Sequence, residues 1–204
     1  MRRFSVVLCA AAAVAGACTE RPRVPGPSDF HGVGVMPPIP KPDFTLTATD
    51  GKPFAFRART AGKVTLLFFG YTNCPDVCPV HAANIAAVLR ELSWADRQRV
   101  TFVFVTTDPA RDSLPAIRAW LDHFDSTFVG LRGSVDSVTA ISLKMNLSGA
   151  TFEQNAKDGT YGVGHSAVVL AFSADDSARV MYPFGVRQQD WAADIPKLLT
   201  IRPR

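Results

Sequence analysis

Two cysteines, Cys74 and Cys78, stand in Gly70-Tyr71-Thr72-Asn73-Cys74-Pro75-Asp76-Val77-Cys78-Pro79, between an apolar run and a segment of helical periodicity. A thiolate is both a nucleophile and a soft metal ligand, and its availability is set by its pKa. Pro79 has no N–H to donate and suits the first helical position, which would make Cys78 the N-cap. The proline also steers Cys78 away from helical dihedrals. A thiol there feels the positive end of the helix dipole, which favours its ionised form. Three uses of such a pair compete. A structural disulfide would close a very short loop and so constrain the unfolded chain little. A thioredoxin-type redox pair has two intervening residues, where this one has three. A structural zinc site asks for four protein ligands, and only three suggest themselves.

The third is His165, in Gly162-Val163-Gly164-His165-Ser166-Ala167, directly before an apolar stretch. Two thiolates and an imidazole form a soft, low-coordination set suited to Cu(I). A lone histidine at a strand edge is more often a solvated or capped residue, and spacing alone does not place it beside the cysteines. Other polar residues carry weaker signals. Asp76, inside the loop, is either a second-shell group or weak oxygen ligand for Cu(II), or a solvated turn residue. His81 is expected to be exposed on the helix that follows, with metal contact as the minority reading, and His123 to lie on a helix surface. Asp108 and Arg111, after a strand end, read as loop-ordering residues. Asn146-Leu147-Ser148 matches a glycosylation sequon, a short pattern that is weak evidence on its own.

Elements able to position these residues alternate along the chain. Phe44–Ala48 and Pro53–Phe56 flank a turn at Asp50-Gly51, and Val64–Phe69 reads as a strand covered on both faces. Ile85, Val88, Leu89 and Leu92 recur at helical spacing, followed by a second buried strand, Val100–Val105. Leu114, Ile117, Leu121 and Phe124 mark an amphipathic helix with Asp112 or Ser113 as N-cap. Another helix begins near Ser134, with Val135, Val138, Ile141 and Met145 on one face. Ala167–Phe172 and Arg179–Phe184 pair across Asp175-Asp176, and a last helix runs from about Gln189 to Thr200, interrupted near Pro196. Alternation by itself gives a three-layer α/β sandwich. With a cysteine pair at the first long helix, the order is that of a thioredoxin-like fold with a central mixed sheet.

The amino terminus speaks to compartment. Arg2 and Arg3, the apolar stretch Phe4–Val14 and the small residues Ala15-Gly16-Ala17 have the three parts of an export signal. Cys9 falls inside it and would be discarded on cleavage. The run is too short for a comfortable bilayer span of about 20 residues. Ala15-Gly16-Ala17-Cys18 is similar to a bacterial lipobox, apart from Ala15 where leucine is usual; Cys18 is then expected to be the lipidated first residue of the mature chain, the rival reading being ordinary signal cleavage that leaves a stray thiol. Seven prolines between Pro22 and Pro42 then suggest an extended, disordered tether, with His31 solvated in it. The 204 residues carry a formal charge of +4, but Arg2 and Arg3 leave with the signal, so 20 basic face 18 acidic side chains. No Lys/Arg cluster remains to suggest a nucleic-acid partner.

Phe69-Gly70-Tyr71-Thr72-Asn73-Cys74-Pro75-Asp76-Val77-Cys78-Pro79 resembles the signature of the Sco/SenC proteins, copper-binding factors for cytochrome c oxidase assembly. The likeness continues in Thr106-Thr107-Asp108-Pro109-Ala110-Arg111-Asp112, in Trp120-Leu121-Asp122-His123-Phe124-Asp125 and in His165-Ser166-Ala167, from about Pro42 onward. Asn73 departs from the His or Ser often found before the first cysteine, which removes a possible auxiliary ligand. The resemblance implies a thioredoxin-like fold with an inserted hairpin, and copper, as Cu(I), Cu(II) or both, held by Cys74, Cys78 and His165. It also implies membrane tethering. The expectation is a signal peptide over 1–17, a lipidated Cys18 and tether over 18–42, and a copper-binding domain over 43–204. The chain would be an extracytoplasmic, membrane-anchored copper carrier rather than an enzyme, delivering copper to the CuA-bearing subunit of cytochrome c oxidase. A thiol reductant and a further copper chaperone are its implied helpers. The alternative is a thiol–disulfide oxidoreductase or redox sensor keeping oxidase cysteines reduced, which needs Cys74 and Cys78 but not His165. A peroxiredoxin-like peroxidase has no motif of its own here.

Overall fold

A computed structural model describes residues 24–154 and 160–202. The segment 1–17 and Cys18, for which export and lipidation are expected, lie outside the described residues.

The centre of the fold is a strand, β4 (Val64–Gly70), buried at all seven positions. It pairs in parallel with β5 (Val100–Thr106), from Val64 opposite Val100 to Gly70 opposite Thr106. On its other side it runs antiparallel to β9 (Val168–Phe172). The eight-stranded mixed sheet continues through β10 (Ser177–Pro183) to β1 (Val33–Pro40) on one flank. On the other it passes through β6 (Val129–Arg132) to β2 (Thr45–Ala48) and β3 (Pro53–Ala55). Side chains alternate across it. Leu66, Phe68, Phe102 and Phe104 face one core, and Leu67, Phe69, Val103 and Val105 face the other. Both faces are apolar, so helices must cover both.

One cover is built from α2 (Val77–Glu91), α4 (Leu114–Asp122) and α6 (Gln188–Thr200), through Ala82, Ile85, Ile117, Leu121, Trp191 and Leu198. The other uses α1 (Phe56–Arg59) and α5 (Val135–Leu143), through Phe56, Val138 and Ile141. A short α3 (Trp94–Arg97) links α2 to β5. Ser113, not Asp112, caps α4, its hydroxyl accepting from the Ala116 N–H at 3.3 Å. Pro196 does not interrupt α6, because the buried face formed by Trp191, Ile195 and Leu198 holds the helix through it. The inserted hairpin is β7 (Thr151–Gln154) with β8 (Tyr161–Gly164), a separate two-stranded sheet just before His165.

The structure departs most from the sequence-based expectation between Pro27 and Lys41. Instead of a free tether, this segment turns through a 3-10 helix at Pro27–Asp29 and adds β1 to the sheet edge, opposite β10. An edge strand need not donate along its outer side, so its prolines are tolerated, and its register breaks between Gly34 and Ile39. His31 is likewise not a free tether residue. Its backbone N–H donates to Asp194 Oδ2 at 2.7 Å, and its Nδ1 lies 2.8 Å from Asp194 Oδ1. Lys197 Nζ donates to Asp194 and to the Asp29 carbonyl, binding the segment to α6. Phe30 and Val35 are buried beneath it. Among the described residues no helix is long and apolar enough to cross a membrane.

Candidate metal centre

Gly70 ends β4, and Tyr71 to Asp76 form the loop into α2. Asp76 is the N-cap, its carboxylate accepting from the Val77 N–H at 2.6 Å. Cys78 is therefore the second residue of the helix and not its cap, and Pro79 is the third. Both placements are compatible with an N-terminal turn whose first four N–H groups have no helical acceptor. One of those free donors, the Cys78 N–H, points at Cys74 Sγ at 3.4 Å. Cys74 lies near Asp76 Oδ1, at 4.0 Å, without the carboxylate leaving its capping role. A hydrogen bond from the Cys78 side chain, with help from His165 and the Cys78 N–H, holds the Cys74 thiol well below its ordinary range against the opposing effect of burial. Burial pushes Cys78 up. The pair thus holds its first negative charge on Cys74, the sulfur nearer solvent.

His165 arrives from the far side of the chain, between β8 and β9. Its Nε2 lies 3.7 Å from Cys78 Sγ. Its Nδ1 lies 3.1 Å from the Ser166 carbonyl oxygen. A carbonyl only accepts, so the tautomer with its proton on Nδ1, the one a metal ligand needs, turns an Nε2 lone pair toward the sulfurs. Tyr71 and Phe68 meet the ring edge-on at centroid distances of 5.6 and 5.8 Å. The ligand atoms of Cys74, Cys78 and His165 all lie within 4.8 Å of one another. Sequence spacing left that convergence open.

Polar groups around the three hold the loops in place. Buried Asp112 accepts from the Thr72 N–H at 3.0 Å, the Thr72 hydroxyl at 2.5 Å and the Thr106 hydroxyl at 2.6 Å. It ties the cysteine loop to the end of β5. Asp108 pairs with Arg111 and accepts from the Tyr161 hydroxyl at 2.8 Å. The Arg111 guanidinium stacks 3.9 Å over the Tyr161 ring and lies 5.7 Å from that of Tyr71. Asp108 and Arg111 order a loop, as expected, and also fasten the hairpin that precedes His165. Sequence reasoning missed Asp112 as a brace, although an acid just past a buried strand in Thr106-Thr107-Asp108-Pro109-Ala110-Arg111-Asp112 was a usable signal. It also missed Gly70, where a Cβ would stand 2.8 Å from Cys78 Sγ.

His81 corrects a second expectation: it is only 1% exposed. Three residues beyond Cys78, it shares the inward face of α2 with Ala82 and Ile85. Its ring meets Phe68, Phe184 and Trp191 edge-on, and its Nε2 lies 3.4 Å from the Ala167 carbonyl. Burial lowers its pKa and keeps it neutral, and it is not one of the three converging ligands. His123 is exposed at the end of α4. Asn146, with φ of 57°, serves the turn after α5.

A parallel-centred sheet, a helix starting on a Cys-x3-Cys loop and a histidine returning from an inserted hairpin define a thioredoxin-like protein with a soft, three-donor cluster able to hold a metal ion. The sequence profile of SCO1/SenC proteins matches residues 37–200. The chain belongs to that family. It is 32% identical over 123 residues to the mitochondrial protein SCO2 of Saccharomyces cerevisiae, covering 60% of this chain and 40% of the yeast protein. The apo Sco1 protein of Thermus thermophilus is 29% identical with a TM-score of 0.74, over 83% of this chain and 97% of that one. The copper-bound ScoI of Bradyrhizobium japonicum is 31% identical with a TM-score of 0.68, over 78% of this chain and 99% of that one.

Proposed function

We propose that this chain is a membrane-tethered copper carrier that holds the ion through Cys74, Cys78 and His165 and passes it to the CuA centre of a cytochrome c oxidase. The observation that carries the reading is the approach of two sulfurs and one imidazole nitrogen within 4.8 Å. Sulfur-rich, three-donor sites suit copper, and especially Cu(I), better than harder ions that demand more ligands. Likeness to the copper-bound Bradyrhizobium protein supports it. Cys74 and His165 sit on the outer side of the centre, where an incoming thiolate can add before a donor ligand leaves. Oxidation of the two thiols to a disulfide, giving two electrons and two protons to an oxidant, would remove both sulfur ligands, so a thiol reductant must act before loading. In this reading residues 1–17 are removed on export, Cys18 carries the lipid, and the domain works on the periplasmic side of a membrane.

Anaerobic Cu(I) titration against a competing chelator tests the ligand set. The wild-type chain should take one ion, His165→Ala should bind at least about 100-fold more weakly, and loss of either cysteine should abolish tight binding. Unchanged affinity in His165→Ala would overturn the three-ligand reading. One observation favours the oxidoreductase reading as well: the Cys78 N–H donates to Cys74 Sγ at 3.4 Å, a contact that favours the thiolate, the form that attacks a disulfide. Dithiol exchange that survives in His165→Ala and restores oxidase assembly would make that activity the function.

A further inference from the structure

If Cys18 is the lipidated residue, only residues 19–23 separate it from Val24, where the described fold begins. Six Cα–Cα steps reach about 20 Å at full extension. The surface around Val24 is therefore confined to within about 20 Å of the anchored lipid. A free tether running to Pro42 would leave the domain's orientation open, and the packing of Pro27 to Lys41 on the domain removes that freedom.

Val24 borders a groove whose walls include Asp96, Arg99, Leu199 and Arg202. This is the end of the sheet where β4 begins, since the Val64 N–H donates to the Arg99 carbonyl at 2.9 Å. Cys74, Cys78 and His165 lie at the opposite end, beyond Gly70 and just ahead of Val168. The length of β4 sets them about 20 Å apart. Two independent features mark the Val24 end. Trp94, which opens α3, is 78% exposed, more than any other large hydrophobic side chain among the described residues. Tryptophan in such a position suits the boundary between headgroups and acyl chains. The charge is also one-sided. Asp96, Asp125, Asp175 and Asp176 are each taken up by an ion pair, with Arg99, Arg97, Arg179 and Lys41. Arg57, Lys63 and Arg202 are exposed and make no ion pair among the described residues, whereas of the exposed acids there Asp122 is held by Arg118 and Glu91 makes no ion pair among the described residues.

We propose that this end of the domain lies on an anionic lipid surface, with Trp94 at the interface and Arg57, Lys63 and Arg202 over the headgroups. The cysteine–histidine centre then faces away from the bilayer. The inference rests on the reading of Cys18 as the lipid anchor. A partner must accordingly present its acceptor site well above the membrane surface.

The test uses the full-length chain made in a bacterium, extracted in mild detergent and reconstituted into vesicles of phosphatidylglycerol and phosphatidylethanolamine carrying acyl chains brominated near the headgroup. Mass spectrometry of the Cys18 peptide reports the anchor separately. Brominated lipid should quench tryptophan emission, and Trp94→Phe should lose most of that quenching. A Phe184→Trp probe in the Trp94→Phe background, beside the metal centre, should remain unquenched. Quenching should fall at least about twofold in phosphatidylcholine vesicles, where the headgroup charge is absent. An unmodified Cys18 overturns the anchor reading and this inference with it. An acylated Cys18 with unquenched Trp94, or with a quenched Phe184→Trp probe, overturns this inference alone. Shielding of Trp94 only in native membranes, and not in pure lipid, assigns the face to a membrane protein and likewise overturns it.

Discussion

His165 Nε2 stands 3.7 Å from Cys78 Sγ although 87 residues separate the two in sequence. The approach follows from strand order. β9, which begins three residues after His165, runs antiparallel against β4, which ends four residues before Cys74. Both residues thus sit at the same end of adjacent strands, and the inserted hairpin brings the histidine over the cysteine loop.

Gly70 leaves space that Cys78 occupies. A Cβ at that position would stand 2.8 Å from Cys78 Sγ, 2.8 Å from the Phe68 ring and 3.0 Å from that of Phe104. Gly70→Ala is expected to displace the sulfur, weaken Cu(I) binding and cost about 1–3 kcal/mol of stability. Chelator competition and denaturant unfolding measure the two effects. Native copper affinity in the variant would show that the sulfur has room to spare.

Arg111 should govern how firmly His165 is presented, since it joins Asp108, Tyr161 and Tyr71 without reaching the metal ligands. Arg111→Ala is expected to weaken copper binding about tenfold, less than His165→Ala does. The variant should also shift the thiolate-to-Cu(II) absorption band and speed amide exchange over Tyr161–Gly164, while Arg111→Lys restores part of each. A general loss of stability with an unshifted band would reduce Arg111 to a structural residue.

His81 makes stability depend on pH. Burial lowers its folded pKa below the ordinary histidine value, so the unfolded chain binds the extra proton more readily. Its contribution is whole above about pH 6.5 and is lost as pH falls from there through the folded pKa. Urea midpoints of the wild-type chain should therefore drop between neutral and mildly acidic pH. In His81→Phe, which keeps an aromatic ring among Phe68, Phe184 and Trp191, that part of the drop should vanish. Parallel curves for the two chains would show that His81 does not bear the proton.

The cysteine pair, the buried strand ahead of it and the helix behind it are legible in residues 64–92, because each is a local matter. A continuous apolar run, 3.6-residue periodicity and an N-terminal proline need no distant partner to be read. Within that stretch the cap still fell two residues early, on Asp76 instead of Cys78, since proline is compatible with several first-turn positions. His81 went astray for a related reason: the residue type suggested solvent, while its spacing from Cys78 put it inside.

By itself, then, the sequence determined the alternating α/β layers and the Cys74–Cys78 loop at a helix start. Only the tertiary structure decided that His165 joins the sulfurs, that Asp112 and Arg111 brace the loops around them, and that Pro27 to Lys41 belong to the sheet edge and α6. These depend on which strands become neighbours, and hydrogen-bonded register between segments far apart in the chain leaves no period in the sequence. A histidine before a strand reads the same whether that strand lies beside β4 or at the sheet's edge; its place in the sheet is what brings it to the sulfurs.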